Sequence, residues 1–152
     1  MSAQLMEVPA IVATIDPAVQ TVATHDSDVV DMKSFRRAIV VVGTGAYTAA
    51  GSTLNVTVYA NTANSASGGT AITGKTFTSS TFSGSAAGQA KQGVIVVTAD
   101  EMEEALAGAR YLYAEMTVGT NTINAALFIL ADNARYEPAT DNDLASVAEI
   151  IN

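Results

Sequence analysis

The chain has 152 residues, of which 49% are hydrophobic and 14% charged, and it carries a net charge of −8. That length holds one domain with a real core, and that apolar content excludes a disordered chain. Binding to nucleic acid or to an anionic membrane draws on clustered Lys and Arg, whereas here the basic residues are scattered and only Arg36 and Arg37 adjoin, which argues against both partners.

Residues 1–22 read as an extended N-terminal arm. Pro9 and Pro17 forbid a continuous helix, and Ile11-Val-Ala-Thr-Ile15 can add as a strand to a sheet edge. On this reading Leu5, Val8 and Ile11 are apolar contacts laid on a neighbouring subunit, and deletion of residues 2–18 leaves a folded sandwich behind. The first residues lack the basic, apolar, small-residue order of a signal peptide, and no stretch approaches the length of a membrane span.

The sandwich domain is expected over residues 23–137. Asp28-Val-Val-Asp-Met32 is a short edge segment, and Phe35-Arg-Arg-Ala-Ile-Val-Val-Val42 is the first strong strand. Residues 43–51 form a flexible, glycine-rich turn. Thr53-Leu-Asn-Val-Thr-Val-Tyr-Ala60 alternates strictly, with Leu54, Val56, Val58 and Ala60 inward. Residues 61–69 are a loop, 71–82 a weaker strand region broken by Gly74, and 83–92 a second small-residue loop. Gly93-Val-Ile-Val-Val-Thr98 is apolar at successive positions, as in a strand buried on both faces. Asp100 with Glu103 three residues on is a capping box opening a short helix that Gly108 closes.

Tyr111 to Val118 alternates again, with Leu112, Ala114, Met116 and Val118 on one side and Tyr111, Tyr113, Glu115 and Thr117 on the other. Gly119-Thr-Asn-Thr122 is the turn of a hairpin into Ile123–Leu130, a run apolar on both faces. The expected core includes Ile39, Val41, Leu54, Val56, Val58, Val94, Val96, Leu112, Ala114, Met116, Leu127 and Ile129. Residues 138–152 are an amphipathic tail in which Leu144, Val147, Ala148 and Ile151 follow helical spacing; so short a helix must dock on its own sandwich or on a neighbour. The fold class is therefore all-β: a single antiparallel, jelly-roll-like sandwich with an N-terminal arm, one inserted helix and a short C-terminal helix.

Chemistry finds few parts. His25, the one histidine, lies near Asp26, Asp28 and Asp31, but the spacing matches no calcium loop and reads as a solvated turn. There is no cysteine, no Gly-x-Ser-x-Gly elbow, and no phosphate-binding glycine loop around Gly43-Thr-Gly45 or Gly68-Gly69. No catalytic residue, metal or cofactor is expected. Tyr59, Tyr111 and Tyr113 share a face suited to a subunit contact or, as an alternative, to stacking on sugars.

Three stretches taken together carry a resemblance: Asp28 to Val42, Thr53 to Ala60 with Gly69-Thr-Ala-Ile-Thr-Gly74, and Ala109 to Val118 with Ala126 to Tyr136. Their order resembles the small β-sandwich decoration proteins, also called cement or head-stabilisation proteins, of tailed bacteriophages. The resemblance spans roughly residues 20–137 and is one of pattern. It implies a non-enzymatic virion protein on the outer capsid surface, bridging subunits of the major capsid protein, with a trimer as the first expectation and a monomer or dimer open. The contact residues are then Leu5, Val8, Ile11, Tyr59, Tyr111, Tyr113, Leu144, Val147 and Ile151. The alternatives are a tail, neck or head-fibre base protein and, after it, a carbohydrate-binding module.

Overall fold

The computed structural model describes residues 9–46, 51–78 and 90–132, and among them nine strands build two antiparallel sheets, accompanied by one helix. The strands are β1 Ala10–Gln20, β2 Thr24–Asp26, β3 Val30–Asp31, β4 Arg37–Thr44, β5 Thr53–Asn61, β6 Thr70–Phe77, β7 Gln92–Thr98, β8 Tyr111–Gly119 and β9 Ile123–Asp132. The helix, α1, is Ala99–Ala105. The front sheet has the order β1-β9-β4-β7 and the back sheet β2-β8-β5-β6, with β3 also on β8. Because β2 and β3 both pair with β8, at different points along it, they act as one interrupted edge strand. With β2 and β3 counted as one strand, every connection between described strands crosses between the sheets except β5 to β6, and the first of them pairs with the last. That is a jelly roll.

Strands β5 and β8 form the centre of the back sheet in full register from Thr53↔Gly119 to Asn61↔Tyr111. Their polar and apolar residues alternate without a break, so one face must be inside. Leu54, Val56, Val58, Leu112, Ala114 and Met116 are wholly buried and meet Leu127 and Ile129 of β9, equally buried, in one core.

Four expected core residues are outside. Val40 and Val42 of β4, and Ile95 and Val97 of β7, are the buried ones. Ile39 and Val41 are only partly covered, and Val94 and Val96 are 57% and 42% exposed. Both strands are apolar at odd and even positions alike, so composition leaves the inward parity undecided; pairing of Val41 with Val94 and Phe128 on the outer side fixes it.

Residues 119–122 do not close a hairpin. β8 belongs to the back sheet and β9 to the front one, so the turn arches over the end of the sandwich. Thr120 takes a left-handed backbone, φ 73°. Gly119 lies so close to Thr53 that a Cβ would come within 2.6 Å of its hydroxyl, which is why a glycine ends the strand.

The expected arm is also corrected in part. Residues 10–20 are the edge strand of the front sheet, paired in the same chain with β9 from Ala10↔Ala131 to Gln20↔Ile123. Asp16 and Pro17 fall in a register shift between Ile15 and Ala18, the kind of edge irregularity where a proline sits in a sheet. The helix starts two residues early. Thr98, not Asp100, is the cap: its hydroxyl accepts from the Glu101 amide at 3.3 Å while Glu101 accepts from the Thr98 amide at 2.9 Å. Glu103 instead accepts from the Gly108 amide at 3.0 Å. Among the described residues no helix is long and apolar enough to cross a membrane.

Candidate docking surfaces

The two sheets turn unlike outer faces to the surroundings. On the back sheet, cross-strand pairing brings Asp26, Glu115 and Thr57 into line, with Tyr113 and Tyr59 beside them and Tyr111 and Asp31 beyond. Tyr59 and Tyr113 stack on each other, ring centroids 5.1 Å apart and planes within 7°. Tyr113 is buried under the 61–69 loop, where Gly69 packs so tightly that a Cβ would meet the ring at 2.9 Å. Asn61 shapes that loop: its amide donates to the carbonyls of Ser65 and Ser67, and its oxygen accepts from the Ala63 amide. Burial pushes the hydroxyl pKa of both tyrosines up, with Glu115 and Asp26 adding to the effect. Arg110 lies over the Tyr111 ring, 5.1 Å from its centroid, and forks onto Asp31. Tyr113 and Tyr59 are thus engaged with each other, and Tyr111 with Arg110.

His25 and the aspartates near it do not converge. The His25 Nε2 is 3.0 Å from the Thr21 carbonyl, and Asp31 is held by Arg110 and by the Lys33 amide. Among the described residues no three His, Cys, Asp or Glu side chains gather as metal ligands.

The front sheet is different. Its outward positions are Ile11 on β1, Phe128 and Leu130 on β9, Ile39 and Val41 on β4, and Val94 and Val96 on β7, brought side by side by the register. The apolar rows end at one side in Arg37, whose Nε donates to Asp132 at 2.7 Å as half of a forked ion pair. At the other they run into a notch of about 440 Å³ lined by small residues, among them Pro17, Gly43, Gly45 and Ala126. This face was the one that sequence reasoning missed. A hint lay at the ends of β7, where Gln92 and Thr98, both polar, share the parity of Val94 and Val96, but the apolar middle of the strand leaves the parity undecided. Of the expected contact residues, Ile11 lies on this face; Leu5, Val8, Leu144, Val147 and Ile151 lie outside the described residues.

Lys75 of β6 pins the corner between the faces. Its Nζ donates to the Val96 carbonyl at 2.6 Å and pairs with Glu101 at 2.7 Å. A charge here obstructs addition of a foreign strand to β7. Lys75 first, then the Thr98 amide, hold the Glu101 carboxyl below its ordinary 4.5. A carboxylate with a lowered folded-state pKa stabilises the protein above its unfolded value and loses that contribution as pH falls through the folded one. Melting temperature should therefore decline below about pH 4.5, and Lys75→Met should flatten the part due to Glu101. Melting curves of both proteins between pH 3 and 7 check this; identical slopes would refute it.

No protein-family model and no curated protein sequence matches the chain. Solved structures do. The chain is similar to one described as "CBM4 structure and function", at 12% identity over 78% of this chain and 67% of that one, TM-score 0.42. It is similar to a chain of infectious bursal disease virus, Gt strain, at 12% identity over 90% of this chain, TM-score 0.48, and spans 37% of that chain's length. A third similarity is to an empty virus-like particle of cowpea mosaic virus, at 10% identity over 93% and 92% of the two chains, TM-score 0.45. Virus particles thus stand among the structural neighbours. The fold itself rests on the strand pairing described above.

Proposed function

We propose that the chain is a non-enzymatic virion structural protein of a tailed bacteriophage, bound in many copies to the outer surface of the assembled capsid and cementing neighbouring subunits of the major capsid protein. The observation that carries this reading is the apolar outer face of the front sheet in a chain only 14% charged. A lone sandwich gains nothing from presenting Val94 and Val96 to water, whereas a protein that works inside an assembly buries them. The resemblance in residues 20–137 points the same way. Sugar stacking is less well supported, because Tyr113 is buried and Tyr59 lies against it.

Cementing needs no chemistry. Many copies turn a modest interface into firm attachment, and a ligand that binds only the assembled lattice raises the free energy of disassembly by linkage. Particles made without the protein should assemble but break at lower temperature or milder osmotic shock, and added protein should restore them. Reconstruction of intact particles should show the sandwich in many copies on the head. A few copies confined to neck or tail would favour the tail or neck alternative, and absence from virions would end the reading.

A further inference from the structure

We infer that the outer face of the front sheet pairs with the same face of a second copy of this chain. The inference rests on the reading of the chain as a protein that works inside an assembly, and it names one partner there. It gives a two-fold pairing in place of the three-fold one that the family resemblance suggests.

The face is complementary to itself. At one side Val94 and Val96 of β7 stand out, 57% and 42% exposed. At the other lies the notch of about 440 Å³, lined by Gly43, Ala126, Pro17 and Val19 among others. A two-fold axis lying in the plane of contact exchanges two such positions, so each copy's valines enter the other's notch while Val41 and Phe128 meet between them. A protruding apolar residue seated in a small-residue pocket is the arrangement that concentrates binding energy.

Charge is compatible with the same partner. The chain carries −8. Among the described residues the carboxylates lie mainly on α1, as Asp100, Glu101, Glu103 and Glu104, and on the back sheet, as Asp26, Asp31 and Glu115. On the front sheet Asp132 is matched by Arg37, and Asp16, next to Pro17 in the chain, accepts from the Thr14 hydroxyl at 3.1 Å. The outward residues between are uncharged. Of the two outer faces described, this is the one across which two acidic copies repel less.

The test is the association state of the full chain, by sedimentation equilibrium across a range of concentrations. Val96→Asp puts a charge on the protruding side; Gly43→Lys fills the notch at a position where an added Cβ meets nothing within 4 Å. Each should weaken pairing roughly thirtyfold or more, with the melting temperature close to that of the parent. Val22→Asp, at a residue 53% exposed outside these strands, should change nothing. Mixing Val96→Asp with Gly43→Lys should restore a heterodimer, because the new Asp enters the new Lys notch and the second contact is unaltered. A parent chain that stays monomeric, a dimer indifferent to both variants, or a mixture that fails to pair would each overturn the inference. A chain monomeric in solution yet abundant on particles would sink the pairing alone; a dimer absent from virions would sink the capsid reading alone.

Discussion

Val56→Asp should leave no folded protein. Val56 is wholly buried at the middle of β5, paired with Met116 on one side and Phe77 on the other. A carboxylate there has no cation to meet, and its burial costs several kcal/mol against a total stability of about 5–15. The neighbouring position supplies the control. Asn55 is exposed on the outer face of the same strand, and Asn55→Asp should change stability by no more than about 0.5 kcal/mol. Circular dichroism melting of the two variants reads the difference. A cooperative transition for Val56→Asp near that of the parent would mean that the core is not where the strand pairing places it.

Deletion of residues 2–18 should unfold the sandwich, contrary to what the sequence suggests. The deletion takes most of β1, including Ala10, Ala13 and Ile15, all buried, and leaves one side of β9 without its ladder. Burial of a side chain the size of Ile15 alone is worth about 1.5–3 kcal/mol. The stripped β9 then presents a long apolar edge, a template for aggregation. Deletion of residues 2–8, which spares every residue of β1, separates loss of the strand from loss of what precedes it. Soluble, monodisperse protein after the longer deletion would show that β1 is dispensable.

The back sheet was legible because its two central strands carry Thr, Asn, Tyr and Glu at every second place, so only one parity can face a core. The front sheet was not, because β4 and β7 are valine-rich on both parities, and a run buried twice looks the same in sequence as one buried once and covered by a partner. The same ambiguity hid the apolar face, since residues assigned to the core were not available to be a surface. Residues 10–20 read as an arm able to add to a sheet edge, but nothing local says that the edge is the chain's own, where a register shift accommodates Pro17. Thr98-x-x-Glu101 and Asp100-x-x-Glu103 are both capping boxes by spacing, and only the end of β7 decides between them. The turn at 119–122 announced a reversal of direction, but a reversal within a sheet and one between sheets carry the same local signal.

The pairing of the first strand with the last has a consequence for how the chain is born. Ile15 finds Leu127 roughly 110 residues later. At ribosomal rates of about 5–20 residues per second, β1 waits on the order of 5–20 seconds for a mate. Loop closure over that span is slow and entropically costly, so the hairpin of β5 and β6, with β8 added, is the natural place for order to begin. The front sheet closes last, when β9 slots between two strands that were made long before it. Until then its valines are open to any neighbour, so the wait for β9 is the interval in which the chain is most exposed to mis-association.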